Sequence, residues 1–218
     1  MASTLSRREE AEAAGQNAID RDDLDAALAS FREELDLARA SGDEAAVIYG
    51  LFHTAWALRY GFGRHDEAIS LLEEANQRAA GTGSERLRWP ALINLADAAL
   101  DVEEWHRAAS LAAEALAPTW EVKRPAGDLT FLLEIAAFAA AGGGAEAEAR
   151  DLFAAAAEAR RHQDWDPNSV RVIRERMERL MRPARSLGSV PSSAGRESPR
   201  LSFDEAVALA ISLPAVLG

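Results

Sequence analysis

A chain of 218 residues with 24 Lys+Arg against 36 Asp+Glu has a formal net charge of −12. That balance disfavours nucleic acid, whose phosphate backbone needs a basic face, so no direct nucleic-acid contact is expected. It has no cysteine, which removes disulfides, thiolate metal sites and cysteine nucleophiles. No apolar run approaches the ~20 residues of a membrane span. Met1 to Glu10 is polar and charged without an apolar h-region, so a cytoplasmic protein is expected. Alanine, leucine, glutamate and arginine dominate, Lys123 is the only lysine, and there are only two tyrosines. These are helix-forming preferences, and an all-α fold follows from them.

In chain order, the first apolar-periodic segment runs from about Leu5 to Ile19, with Ala11, Ala14, Gly15 and Ala18 as small residues on one face. After the turn Arg21-Asp22-Asp23, residues Leu24, Leu28, Phe31 and Leu35 form one helical stripe. Ser41-Gly42-Asp43 ends that pair. Val47 to Tyr60, a break at Gly61-Phe62-Gly63, and His65 to Ala80 make the second pair. The third uses about Glu85 to Asp101, with Pro90 in its first turns, and Glu104 to Ala117. The fourth uses Ala126 to Ala141 and Ala145 to Arg161 around Gly142-Gly143-Gly144.

The second helices align. Ala27, Ala68, Ala108 and Ala149 recur 41, 40 and 41 residues apart, with Phe31, Leu72, Ala112 and Phe153 four residues later and Leu24, His65, Trp105 and Glu146 three earlier. Twelve residues before each alanine lie Gly15, Trp56, Ala96 and Ala137. Small residues at paired places let two antiparallel helices approach closely. One hairpin cannot bury its own apolar face, but a stack can.

Gly15…Leu24-x-x-Ala27-Leu28-x-x-Phe31 and Gly63-x-His65-x-x-Ala68-Ile69-x-x-Leu72 resemble the tetratricopeptide repeat, with looser copies at Trp105-x-x-Ala108 and Ala149-x-x-x-Phe153. The resemblance covers about Arg8 to Arg161, and its period of about 40 exceeds the usual ~34. It implies a right-handed α-solenoid of about four hairpins, with a capping helix after Asp166-Pro167, over residues 1–182. Long repeats of this kind, with the tail Leu201-Ser202-Phe203-Asp204-Glu205-Ala206, are similar to the C-terminal halves of large bacterial LuxR-type ATP-binding transcription regulators. No Gly-x-x-x-x-Gly-Lys-Ser/Thr occurs, so the nucleotide chemistry of such regulators is missing.

Val170, Ile173, Met177, Leu180 and Met181 give the capping helix an apolar stripe. Residues 183–200 are rich in Ser, Pro, Gly and Arg and read as a flexible linker. Over residues 201–218, Ser202-x-x-Glu205 is a capping box opening a short apolar helix to about Leu213. Too short to be stable alone, that helix either folds back on the repeats or docks on a second copy as a homodimer contact.

No catalytic constellation is visible, and no cofactor is expected. The four histidines, His53, His65, His106 and His162, are dispersed, and none forms a metal-binding pair with a neighbour on one helical turn. A metal site is therefore not expected. Adjacent carboxylates Glu33-Glu34 and Glu73-Glu74 point to different sides of a helix and read as solvated. The five tryptophans read mainly as core, since large aromatics dominate core energetics.

The resemblance places a concave groove on the first helices, lined by Glu9, Glu12 and Gln16, by His53 and Tyr60, by Ile93, Asn94 and Asp97, and by Phe131, Glu134 and Phe138. Such a lining, acidic at one end and aromatic at the other, suits a peptide or helix that is basic with an apolar anchor. The expected function is a non-enzymatic protein-binding scaffold in bacterial regulation, and the alternative is a small-molecule effector-sensing module.

Overall fold

The computed structural model describes residues 4–117, 126–161, 175–176, 178–180 and 201–218, and within them the regular structure is helical with no strand. The helices are α1 (Thr4–Asp20), α2 (Leu24–Ser41), α3 (Glu44–Phe62), α4 (His65–Gly81), α5 (Glu85–Asp101), α6 (Trp105–Leu116), α7 (Ala126–Gly142), α8 (Glu146–Arg160) and α9 (Phe203–Leu217). Residues 175–176 and 178–180 are helical as well. Most of the expected capping helix and all of the expected linker lie outside the described residues.

The turns inside the pairs carry the repeat. The residues in left-handed conformation at these turns are Asp22 (φ 59°), Gly63 (φ 61°), Glu103 (φ 59°) and Gly144 (φ 86°), at the same 41, 40 and 41 spacing as the alanines. Each is followed by an amide that donates back into the preceding helix. Asp23 N–H reaches Ala18 O at 2.9 Å, Arg64 reaches Leu58 at 3.0 Å, Glu104 reaches Ala99 at 3.0 Å, and Ala145 reaches Ala140 at 2.8 Å. A left-handed residue there lets the chain reverse while satisfying a carbonyl that the helix end would leave open.

Glycine adopts this conformation freely, whereas a residue with a Cβ is strained by about 1–2 kcal/mol. Glu103→Gly is therefore expected to raise stability by about 0.5–1 kcal/mol, after the entropy cost of glycine is subtracted. Asp22→Gly should gain less, because aspartate tolerates the left-handed region better. Urea unfolding midpoints of the two variants check both the sign and the order.

Leu24, His65, Trp105 and Glu146 are the first residues of α2, α4, α6 and α8. Ala27, Ala68, Ala108 and Ala149 are fully buried, as expected from their register. The twelve-residue offset to the first helix fails in the second hairpin: Trp56 is half-exposed, while its neighbours Ala55 and Ala57 are fully buried. The turn bond there spans six residues, Arg64 back to Leu58, against five in the other three. The extra residue slides α3 by one place, and Ala55 takes the packing position.

Aspartates begin two of the helices. Asp23 accepts from Ala26 N–H and Asp43 from Ala46 N–H, each at 3.1 Å, closing donors that a helix start leaves open. Pro90 sits in the second turn of α5, not its first, so one helical hydrogen bond is forgone.

The described residues divide into two compact units, one up to Asn94 and one from Leu95 onward. In the first, α1 packs on α2, α2 on α3 and α3 on α4; in the second, α6 packs on α7 and α7 on α8. The terminal helix α9 folds back in cis on the second unit, chiefly on α6, with further contact to α7 and α8. Ala206, Ala210 and Leu213 form its buried face, and the end of Leu217 lies over Gly143.

The expected capping box is present: Glu205 N–H donates to Ser202 Oγ at 3.3 Å, and Ser202 N–H donates to Glu205 Oε2 at 2.8 Å. The hydrogen bonds from Ser202 hold the Glu205 carboxyl below the usual glutamate range. The helix continues past Leu213 to Leu217 through Pro214: the proline removes one backbone bond, and Leu217 still reaches Gly143.

Candidate functional site

In the first unit, α3 carries a stripe of which the repeat register anticipated only His53 and Tyr60. Tyr49, His53, Trp56 and Tyr60 are spaced four, three and four apart and so share one helical face. Tyr49 is exposed, and the other three are half-buried. Trp56 and Tyr60 meet at a 39° tilt with ring centroids 5.0 Å apart, Tyr49 meets Phe52 edge-on at 5.9 Å, and the Arg59 guanidinium lies 5.0 Å from the Tyr60 ring centre. Exposed aromatic faces of this kind accept both apolar side chains and cations.

Beside the middle of the stripe, three helices bring carboxylates and an imidazole together. Glu34, on α2, is 0% exposed, and its Oε2 lies 2.9 Å from His53 Nδ1. This corrects the expectation that Glu33-Glu34 is solvated: Glu33 is exposed, but Glu34 is on the face that α2 turns to its neighbours. Glu12, on α1, accepts from Arg8 Nη1 at 3.4 Å. Glu9 and Gln16 are exposed on the same helix.

The groove residues expected further along behave differently. Ile93 is buried, and Asn94, half-buried, donates from Nδ2 to the Pro90 carbonyl at 2.9 Å. Asp97 is buried in an ion cluster of the second unit. Arg176 Nη2 lies 2.8 Å from Asp97 Oδ1 and donates to the Asp97 backbone carbonyl at 2.8 Å, while Arg176 Nε donates to Asp101 Oδ1 at 2.7 Å. Asp97 and Ile93 therefore face packed protein, because α5 is apolar on most of its circumference from Ala91 to Leu100.

Phe138 is likewise buried, edge-on to Phe153 with centroids 5.0 Å apart. Phe131 is half-buried. Glu134, also half-buried, accepts from Arg160 Nε at 3.0 Å. Burial raises the Glu134 carboxyl above the ordinary glutamate range, against the opposing pull of Arg160.

A cavity of about 240 Å³ opens in the second unit between Leu100, Trp105, Phe138 and Arg179. Trp105 closes over Gly142, whose missing side chain leaves room for the indole. Trp89 is buried as expected of core tryptophan, while Trp120 and Trp165 lie outside the described residues. Among the described residues, no helix is long and apolar enough to cross a membrane.

Of the residues that carry this surface, Tyr49, Trp56 and Glu34 were not assigned to it from the sequence. The spacing 49, 53, 56, 60 was itself readable, but the register assigned Trp56 to packing. No family model, curated protein or solved structure matches the chain.

Proposed function

We propose that the chain is a non-enzymatic protein-binding helical repeat module, and that the α1–α3 face of its first unit takes a peptide or helix bearing arginine or lysine beside an apolar anchor. The observation that carries this reading is the aromatic stripe Tyr49, His53, Trp56 and Tyr60, exposed at Tyr49 and half-exposed along the rest, with the carboxylates of Glu9 and Glu12 on α1. Aromatic faces next to acidic groups favour a cationic ligand twice, through the ring quadrupole and through charge. The net charge of −12 draws the same partner in.

The recurring left-handed turns support reading the pairs as repeats of the tetratricopeptide kind in a right-handed array. The absence of a phosphate-binding loop from the sequence fits a portion that interacts, similar to the C-terminal halves of LuxR-type regulators in bacterial cytoplasm. The second reading, a small-molecule effector site, rests on the cavity beside Trp105. At about 240 Å³ that cavity lies below the ~300–1,000 Å³ of ordinary ligand pockets, and the neighbouring one of about 530 Å³ is lined mainly by Glu103, Glu104, His106 and Arg107 where ligand pockets are mostly apolar, so the peptide reading is preferred.

Selection of a random peptide display library on the whole chain tests it. The expected result is enrichment of sequences with Arg or Lys near Leu, Phe or Trp. Trp56→Ala should weaken the selected peptides by at least about tenfold, as loss of a buried aromatic anchor does, and salt should weaken them further. A library that enriches nothing, or peptides indifferent to both Trp56→Ala and Tyr60→Ala, would overturn the proposal.

A further inference from the structure

We propose that Glu12, Glu34 and His53 form a binding site for a divalent transition-metal ion of the zinc class. One ligand atom from each residue lies within 4.8 Å of the others. Four-coordinate zinc with bonds of ~2.0–2.1 Å holds its ligands about 3.4 Å apart, so the set needs to close by roughly an ångström. Glu12 can supply that movement, because its side chain is 46% exposed and belongs to α1 alone. Glu34 and His53 are already at 2.9 Å.

A second observation points to a ligand independently of this clustering. Glu34 is completely buried, yet its Oε1 has no hydrogen-bond partner. Arg8 Nη1 lies 4.0 Å from that oxygen, beyond hydrogen-bond reach. A buried carboxylate oxygen is costly to leave without a partner, and a bound cation would satisfy it.

The donor set selects among metals. Magnesium and calcium favour all-oxygen coordination, whereas an imidazole nitrogen beside carboxylates suits zinc, cobalt, nickel or copper. Two carboxylates and a neutral imidazole carry −2, which matches the charge of the ion. Three protein ligands leave a fourth position for water or for a group of a bound partner.

Arg8 makes the site competitive. It donates to Glu12 at 3.4 Å and its side chain is only 17% exposed, so it supplies positive charge where the metal would sit. Metal entry therefore requires Arg8 to swing outward along α1. Each ligand comes from a different helix, so no pair on a single helical turn announces the set in the sequence.

The proposal does not depend on peptide binding, since zinc uptake is read on the chain alone. Isothermal titration of the whole chain with zinc chloride, with cobalt(II) as a spectroscopic stand-in, tests it. Uptake of one zinc per chain is expected, with cobalt giving the visible absorption of a four-coordinate nitrogen–oxygen site and a contact-shifted imidazole resonance. Glu34→Gln and His53→Gln should each weaken zinc by at least about tenfold, a loss of the size seen when metal-site partners are removed. Arg8→Gln should bind at least as tightly as the unmodified chain, because it lacks the competing cation.

Absence of saturable one-to-one uptake overturns the proposal. So does uptake that His53→Gln leaves unchanged, or zinc affinity lost in Arg8→Gln. Should Glu34→Gln fail to fold, His53→Gln and the cobalt imidazole resonance decide alone, and a missing resonance overturns the assignment.

Discussion

Arg176→Ala is expected to destabilise the unit from Leu95 onward by about 3–5 kcal/mol, the cost of removing one member of a buried ion cluster. The Arg176 side chain is 6% exposed and touches Asp97 and Asp101, whose side chains are 5% and 1% exposed. Removing the guanidinium takes the buried cation from between two carboxylates and leaves Asp101 with the exposed Arg179. It also opens the hydrogen bond to the Asp97 carbonyl.

Arg179→Ala is the control. Arg179 reaches Asp101 at 3.2 Å from a side chain that is 57% exposed, and exposed pairs contribute about 0.2–1 kcal/mol. Urea unfolding followed by circular dichroism separates the two. A loss in Arg176→Ala no larger than in Arg179→Ala would show that water screens the cluster.

Gly15→Ala should destabilise the first unit by about 1–3 kcal/mol, the range of an overpacked core. The sign is the informative part. In an exposed helix the same change gains about 1 kcal/mol, because alanine is the better helix former. At Gly15, however, a Cβ would lie 2.3 Å from the Phe31 ring. The ring is fully buried beneath α1, so relief requires the two helices to part.

Gly81→Ala supplies the contrast, since a Cβ there meets nothing within 4 Å. Thermal unfolding should place Gly15→Ala below the parent chain and Gly81→Ala at or above it. Phe31→Leu in the Gly15→Ala background should recover part of the loss, because the two positions share one contact and are not additive.

The helix pairs were legible in the sequence because alanine spacing and turn spacing report the same geometry. Ala27, Ala68, Ala108 and Ala149 are fully buried, and the four left-handed residues keep their period. The candidate surface was legible only in part. Glu12, His53 and Tyr60 were placed on it, but Trp56 was assigned to packing because the one-residue extension of the α3 turn shifts that helix locally. Glu34 was read as solvated from its neighbour in sequence, whereas its burial depends on α1 and α3 closing over α2. Asp97 and Phe138 were assigned to a groove by register alone, which carries no information about Arg176 or Phe153 arriving from elsewhere in the chain.

The cis docking of α9 has a consequence for the order of folding. In the first unit α1, α2 and α3 each pack on the next helix in sequence, so its contacts close over short loops and can form early. The second unit is different: Arg176 meets Asp97 across 79 residues, and α9 returns from still further along the chain to cover α6. Long closures lose more chain entropy before contacts compensate. During synthesis the first unit can therefore be complete while the α6 face that α9 covers is still bare, and a chaperone or a second nascent chain would meet that face first.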